Sequence, residues 1–320
     1  MKRFPKINRK LKKAANIVIK DCLGVKRGER VVVVTDEFCY TIGYTLWQSL
    51  KKITDPILIK IVPRKIHGQE PPKLVTEILK NCDVYIIPTY YSLTHTRARI
   101  EASKQGARGT TMPGITVDVM TRALNANYQK IAVLTNKIAR LLSKAKKVII
   151  KTDKGTNLKL SLAKRQCHID TGIIKNSGEF SNLPAGEAFI APIENKSNGI
   201  IVVDGSFAPI GFLNKPVVLE INQGKLVKVK GTREIDAIFR RYGKREKTLC
   251  EFGIGTNPKA KITGNVLEDE KVLGSIHVAF GNNLGFGGIN KARIHLDGVI
   301  KKPSVWLDEK LIIKKGTLLI

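Results

Sequence analysis

Four short blocks in the second half of the chain hold residues that packing alone does not explain. ARIHLDGVI (292–300) alternates apolar and polar residues, the pattern of a half-buried strand. Residues two apart on a strand share a face, so His295 and Asp297 fall on the side opposite Ile294 and Leu296. SIHVAFG (275–281) repeats the pattern and sets His277 against Ile276, Val278 and Phe280. NLPAGEAFIAP (182–192) places Glu187 just after a Pro/Gly turn, and LCEFGIGTNP (249–258) places Glu251 between apolar neighbours before a glycine-rich turn.

A carboxylate in apolar surroundings is paired, hydrogen-bonded or bound to a cation; otherwise it protonates. Imidazole and carboxylate together are standard ligands for a divalent transition metal. His295 and Asp297 could serve one ion or two adjacent ones, with Glu187, Glu251 and His277 completing the site. Three carboxylates and two neutral histidines carry three negative charges against four positive ones on two divalent ions. A bridging hydroxide then makes the site neutral, and hydroxide is the nucleophile a hydrolase needs. With one metal, His277, His295 and Asp297 instead make the two-histidine, one-carboxylate triad of non-haem iron oxygenases. Spacing leaves both arrangements open.

The elements that must hold these residues follow from periodicity. Residues 8–22 read as a helix, and GERVVVVTDE gives a strand from about Arg30 to Thr35. TIGYTLWQSLKK, KLVTEILKNC, THTRARIEASKQ and TVDVMTRAL read as helices, with strands in PILIKIV and VYIIP. This rhythm predicts an α/β (Rossmann-like) N-terminal domain over 1–145 with a mostly parallel sheet. No glycines open the helix after TDEF, which argues against a dinucleotide site. An amphipathic helix spans 128–145. Beyond it KVIIKT, NLKLSL, IIVVDG, PVVLEI and KLVKVK are short strands separated by turn signals, interrupted by one helix in TREIDAIFRRYG. They predict a β-rich α+β metal-binding domain over 146–320.

Composition bounds the rest. With 42% hydrophobic residues in 320, the chain is a globular protein able to bury a large core. No apolar run approaches the length of a membrane span, and the basic start is followed by an apolar stretch cut short at Lys20 and Asp21. A cytoplasmic location is the expectation. Five scattered cysteines without a C-x-x-C pair argue for buried thiols rather than disulfides or thiolate zinc. The net charge of +29 raises a nucleic-acid partner, but the positive residues are dispersed and no recognition motif accompanies them. A lysine-rich solvated surface accounts for the charge without one. His67, His95 and His168 lie in expected turns or on helix surfaces and take no role. Glu179 reads as a solvated loop carboxylate. Asp269 and Glu270 read the same way, with at most a supporting role at the site. GNNLGFGG (281–288) departs from the phosphate-cradling pattern and reads as a flexible turn beside the site.

NLPAGEAFIAP, EFGIGTNP, LEDEKVLGSIHVAFG and IHLDGV, in that order, resemble the signature blocks of the M29 family of metal-dependent aminopeptidases, the thermophilic metalloprotease family. The resemblance is strong from Gly178 to Asp308 and extends to the opening helix and the GERVVVV strand. It implies a pair of divalent ions (Zn, Co or Mn) held by Glu187, Glu251, His277, His295 and Asp297, with the two glutamates bridging or flanking the metals. It also implies release of N-terminal residues from peptides through a metal-bound water, a homodimer, and a site in the cleft between the domains. If only one metal binds, Glu251 becomes the candidate general base. The family's tyrosine ligand, seven residues beyond the first histidine, is here Leu284, and the stretch between the histidines is shorter. A related branch, similar to 2,5-dihydroxypyridine 5,6-dioxygenase, uses the two histidines and the aspartate to hold one ferrous ion and cleaves a hydroxylated ring with O2. The aminopeptidase is the expected function and the single-iron dioxygenase the alternative.

Overall fold

The computed structural model describes residues 5–320. The chain divides into two compact units, one holding residues up to Ala132 together with Asp170–Ala185, the other holding Val133–Ile169 and Gly186–Ile320.

In the first unit, strands β1 (Val31–Thr35), β2 (Ile57–Lys60), β3 (Val84–Ile87) and β4 (Arg108–Thr111) alternate with helices α1 (Arg9–Asn16), α2 (Tyr40–Leu50), α3 (Lys73–Lys80), α4 (Arg97–Lys104) and α5 (Val117–Arg122). The pairs β1–β2, β1–β3 and β3–β4 are all parallel. Burial on both faces explains why VVVV and VYII read as unbroken apolar runs. Val31, Val33, Val84 and Ile86 enter one core with α1 and α2, while Val32, Val34, Tyr85 and Ile87 enter another with α3 and α4. The expected opening helix is α1 followed by a π-helical turn, Ile17–Cys22.

Helix α6 (Tyr128–Lys144) leads into β5 (Lys147–Lys151), β6 (Asn157–Ser161) and β7 (His168–Asp170). Then β8 (Phe180–Asn182) pairs parallel with β4. It therefore extends the first sheet, although it lies in the stretch read as the β-rich domain; three residues between turns are too few for periodicity to show which sheet they join.

The second unit holds two further sheets. The strands are β9 (Glu187–Ile190), β10 (Asn198–Val203), β11 (Ser206–Phe207), β12 (Gly211–Phe212), β13 (Val217–Asn222) and β14 (Lys225–Lys230). After α7 (Arg233–Arg240) come β15 (Leu249–Gly255), a short α8 (Val266–Asp269), β16 (Ile276–Gly281), β17 (His295–Ile300), β18 (Ser304–Leu307), β19 (Lys310–Lys314) and β20 (Thr317–Leu318). One sheet runs β14-β13-β10-β6-β5-β18-β19-β20 and the other β12-β11-β17-β16-β15-β9-β7. Phe252, Ile254, Ile276, Val278 and Phe280, from one face of the second sheet, share a core with Val148, Ile150, Leu219 and Val305 of the first. The opposite face of β9, β15, β16 and β17 carries Glu187, Glu251, His277, His295 and Asp297. The fold class is therefore the expected one, a parallel α/β part and a β-rich part. The five cysteines are unpaired and all but Cys167 are buried. Among the described residues no helix is long and apolar enough to cross a membrane.

Candidate metal centre

Antiparallel register decides what meets on that face. Glu251 pairs with Ala279 and Ala279 with Asp297, so a methyl group stands between two carboxylates. One step along, Gly253 pairs with His277, and Gly281 pairs with His295. Gly255 pairs with Glu187 across β9. Small residues thus alternate with ligand-type residues on neighbouring strands, which gives two imidazoles and three carboxylates room to converge. A bulge between Leu249 and Glu251 turns the Glu251 side chain into this face.

All five residues singled out in the sequence come together. Glu251 presents Oε1 3.1 Å from His277 Nε2 and Oε2 3.2 Å from His295 Nε2. Asp297 Oδ1 lies 3.4 Å from His295 Nε2, and Glu187 Oε2 lies 3.5 Å from His277 Nε2. His295 Nδ1 lies 2.9 Å from the Asn282 carbonyl, an acceptor, which makes Nδ1 the donor and leaves Nε2 for the carboxylates or a metal. The donor atoms form two compact groups, Glu187/Glu270/His277 and Glu251/His295/Asp297.

Sequence reasoning missed two residues here. Glu270, read as solvated, belongs to the first group, and its neighbour Lys271 places Nζ 2.5 Å from both Glu187 Oε1 and Glu270 Oε1. Asp269 is buried as well, accepting from the backbone N–H groups of Thr263 and Gly264. LEDEK carries four charges in five residues and so reads as solvent-facing; only the three-dimensional turn shows them folded inward.

Electrostatics follow from burial and crowding. Burial works against a charged His277, but the Glu251 hydrogen bond and the surrounding carboxylates outweigh it and raise the imidazole to about 9. Burial also opposes charge on His295, and Asp297 reverses the balance, so this histidine too lies above its ordinary value. Glu251 is desolvated, yet its two histidine partners hold it well below the usual carboxylate range. Glu270 moves the other way, to about 8, through burial and the nearby charges of Glu187 and Asp297, with Lys271 opposing. Burial pushes Cys250 up to about 11 and Cys167 to about 12, which keeps both thiols protonated beside the site.

An aromatic edge adjoins the cluster. His168 stacks on Phe189, with ring centroids 5.7 Å apart. Phe286 meets Phe189 at 5.5 Å and the candidate ligand His295 at 5.9 Å, both edge-on. The turn carrying Phe286, read as flexible from its glycines, is pinned: buried Asn283 donates to Glu194 Oε1 at 3.0 Å and accepts from Asn290 N at 2.8 Å. Arg165 pairs with Glu194 at 2.6 Å and donates to the Gly287 carbonyl. Leu284, at the position of the expected tyrosine, is 51% exposed.

Of the residues given no role, His67 accepts from Ser92 N at 3.1 Å. Glu179 accepts from the N–H groups of Lys175 and Asn176 within its own turn.

Comparison with known proteins bears on the fold and the family. A curated relative, 2,5-dihydroxypyridine 5,6-dioxygenase of Pseudomonas putida, is 23% identical over 215 residues, 62% of this chain. The alignment spans 61% of that relative's length. Among solved structures, the 2,5-dihydroxypyridine dioxygenase of P. putida KT2440 superposes with a TM-score of 0.78 at 19% identity, covering 98% of both chains. Wild-type AmpT from Thermus thermophilus superposes with a TM-score of 0.75 at 17% identity, covering 98% of this chain and 99% of its own. These two likenesses establish the fold. The family described as "NicX: 2,5-dihydroxypyridine 5,6-dioxygenase" matches residues 59–320. The branch that entered as the alternative is thus the one whose family matches, and the chain belongs to the 2,5-dihydroxypyridine 5,6-dioxygenase family.

Proposed function

We propose that the chain is a metal-dependent dioxygenase that opens a hydroxylated, dihydroxypyridine-like ring. The observation that carries this reading is the aromatic edge of His168, Phe189 and Phe286 standing directly against His295. These rings are half-buried, and a planar substrate stacked on them would lie beside the carboxylate–imidazole cluster. Family membership points the same way.

The donor set fits a divalent ion. Carboxylates and imidazoles crowd at 3.1–3.5 Å, and Glu187 Oε2 and His277 Nδ1 are buried without a hydrogen bond among the described residues. His295 and Asp297 are common to the set the dioxygenase resemblance implies and to the Glu251/His295/Asp297 group. The third protein ligand is His277 in the set the dioxygenase resemblance implies, and Glu251 in the more compact group. A ferrous ion bound there would supply the redox chemistry that lets O2 react with a ring. The protein's own part is to bind and orient. Glu251, with one oxygen on each histidine, fixes both imidazoles. His168, Phe189 and Phe286 hold the ring in plane and keep water from that side.

A second reading, the metallo-aminopeptidase, is supported by Glu251 lying between two donor groups, the layout two neighbouring ions share. Anaerobic reconstitution with Fe(II) followed by O2 uptake on 2,5-dihydroxypyridine tests the first reading. Release of amino acids from aminoacyl-naphthylamides by Zn-, Co- or Mn-loaded protein, with no O2 uptake by the iron form, would replace it with the second.

A further inference from the structure

The eight-stranded sheet of the second unit, β14-β13-β10-β6-β5-β18-β19-β20, packs one face into the core and turns the other outward. On β5 the core takes Val148 and Ile150, so Lys147, Ile149 and Lys151 share the outer face. Register carries that face across the sheet. Ser304, Lys151, Asn157, Ile200, Glu220 and Lys228 form one row, each opposite the next on the neighbouring strand. Trp306, Ile149, Lys159 and Asn198 form the row beside it. With strands about 4.8 Å apart, the longer row is roughly 24 Å across.

The charge on this face has one sign. Glu220 is the one carboxylate in the eight strands, and Lys230 pairs with it at 2.5 Å. Lys147, Lys151, Lys159 and Lys228 are exposed, with no carboxylate oxygen within 4.0 Å among the described residues. Lys147 and Lys151 each lie diagonally across from Lys159, so unshared ammonium groups crowd together and repel. Lysines on an edge strand guard against sheet-to-sheet pairing, but β5 and β6 are interior strands and need no such guard. Apolar surface is interleaved with the charge. Ile200 is 41% exposed, Ile149 and Trp306 are half-buried, and Lys151 Nζ lies 5.9 Å from the centre of the Trp306 ring.

We propose that this outer face binds single-stranded nucleic acid, with its lysines on phosphates and Trp306 stacked on a base. The activity is separate from the metal centre, whose residues lie on the other sheet. In the sequence these lysines are scattered between Lys147 and Lys228, and strand register is what gathers them. Phosphates supply the negative charge the face lacks and release counterions as they bind. An aromatic ring beside an ammonium offers a base a stacking partner within reach of a backbone contact. A second copy of the chain fits less well, since two such faces would set lysine against lysine. A lipid surface also fits less well, because half-buried Trp306 and Ile149 offer little that could insert.

Fluorescence anisotropy of a labelled oligouridylate about 20 nucleotides long tests the proposal. The wild type is expected to bind, with log affinity falling against log salt by about 0.7 for each phosphate contacted. Lys151→Glu/Lys159→Glu is expected to lower affinity at least about tenfold and flatten that salt dependence. Trp306→Leu is expected to lower it at least about fivefold with the salt dependence unchanged. Lys12→Glu/Lys20→Glu makes the same charge change at exposed positions of the first unit and is expected to stay within about twofold of wild type. Circular dichroism of each variant checks that the sheet is intact; if Trp306→Leu fails to fold, the lysine pairs decide alone. No binding by the wild type, or wild-type affinity in a folded variant of this face, would overturn the proposal. Equal losses from the two lysine pairs would overturn it too, as a response to net charge alone. Binding to phosphatidylserine vesicles without binding to the oligonucleotide would assign the face to a membrane instead. A wild-type dimer that Lys151→Glu/Lys159→Glu dissociates, again without oligonucleotide binding, would assign it to a second copy.

Discussion

Gly253 stands directly across the β15–β16 ladder from His277, and a Cβ placed on it would run into Cε1 and Nε2 of the imidazole. The glycine in EFGIG is therefore the cradle of a candidate metal ligand. Gly253→Ala would push the ring off the position from which it meets Glu251. The expected cost is about 1–3 kcal/mol of stability from overpacking and about 10- to 100-fold in metal affinity from loss of ligand orientation. Urea unfolding of the metal-free protein and a metal titration measure the two separately; wild-type values in both would show that the strand yields easily.

His295 and Asp297 share one face of β17 and are common to the set the dioxygenase resemblance implies and to the Glu251/His295/Asp297 group. His295→Ala and Asp297→Ala should each remove most of the bound metal while leaving the far-ultraviolet circular dichroism unchanged, because both side chains sit off the apolar core. Elemental analysis of the purified variants checks this, and full occupancy in either would take that residue out of the coordination sphere. The same assay on His277→Ala and Glu251→Gln assigns the third ligand to whichever loses more.

In the first unit, Arg108 on β4 pairs with Glu29 at 2.8 Å and also donates to the Leu23 carbonyl at 3.0 Å. Burial opposes charge on Glu29, but the Arg108 hydrogen bond, the Lys26 N–H and the Arg108 charge outweigh it and lower its pKa. A carboxylate whose folded-state pKa lies below its unfolded value contributes fully above the unfolded value, about 4.3. That contribution is lost as pH falls through the folded value. Glu29→Gln should therefore destabilise at about pH 7 by about 1–2 kcal/mol, the scale of a charge-assisted hydrogen-bonded pair that is only partly buried. The gap from wild type should close as the pH is lowered through the acid range. Denaturant melts across that range test it; a gap independent of pH would mean the carboxylate charge is not the stabilising element.

How much of this was readable beforehand depends on the kind of information each feature needs. Strands such as β1 and β16 and the long helix α6 show in apolar periodicity, because burial of one face is a property of a single segment. His277, His295, Glu187, Glu251 and Asp297 stand out for the related reason that a charge among apolar neighbours needs a partner. Lys271 and Glu270 do not, since α8 spans four residues and a charged run looks solvated until its turn is seen. His168 sits on a three-residue strand, and its stack on Phe189 depends on which strands become neighbours. The join of β8 to the parallel sheet is likewise a matter of long-range pairing, which no local pattern encodes.

Phe286 links the aromatic edge to the candidate metal centre, lying 5.5 Å from Phe189 and 5.9 Å from His295, so under the proposed reading a change there tests substrate recognition apart from metal binding. Its ring is not a ligand, and its turn is held by Asn283, Glu194 and Arg165 rather than by the ring itself. Phe286→Leu keeps apolar bulk and removes the aromatic face, so metal content should stay at the wild-type level. An aromatic pair is worth about 1 kcal/mol beyond its buried area, which corresponds to a rise in KM for a dihydroxypyridine of about fivefold. O2-uptake kinetics with parallel elemental analysis make the distinction. An unchanged KM would remove Phe286 from the substrate wall, whereas loss of metal would show that the ring serves to hold His295 in place.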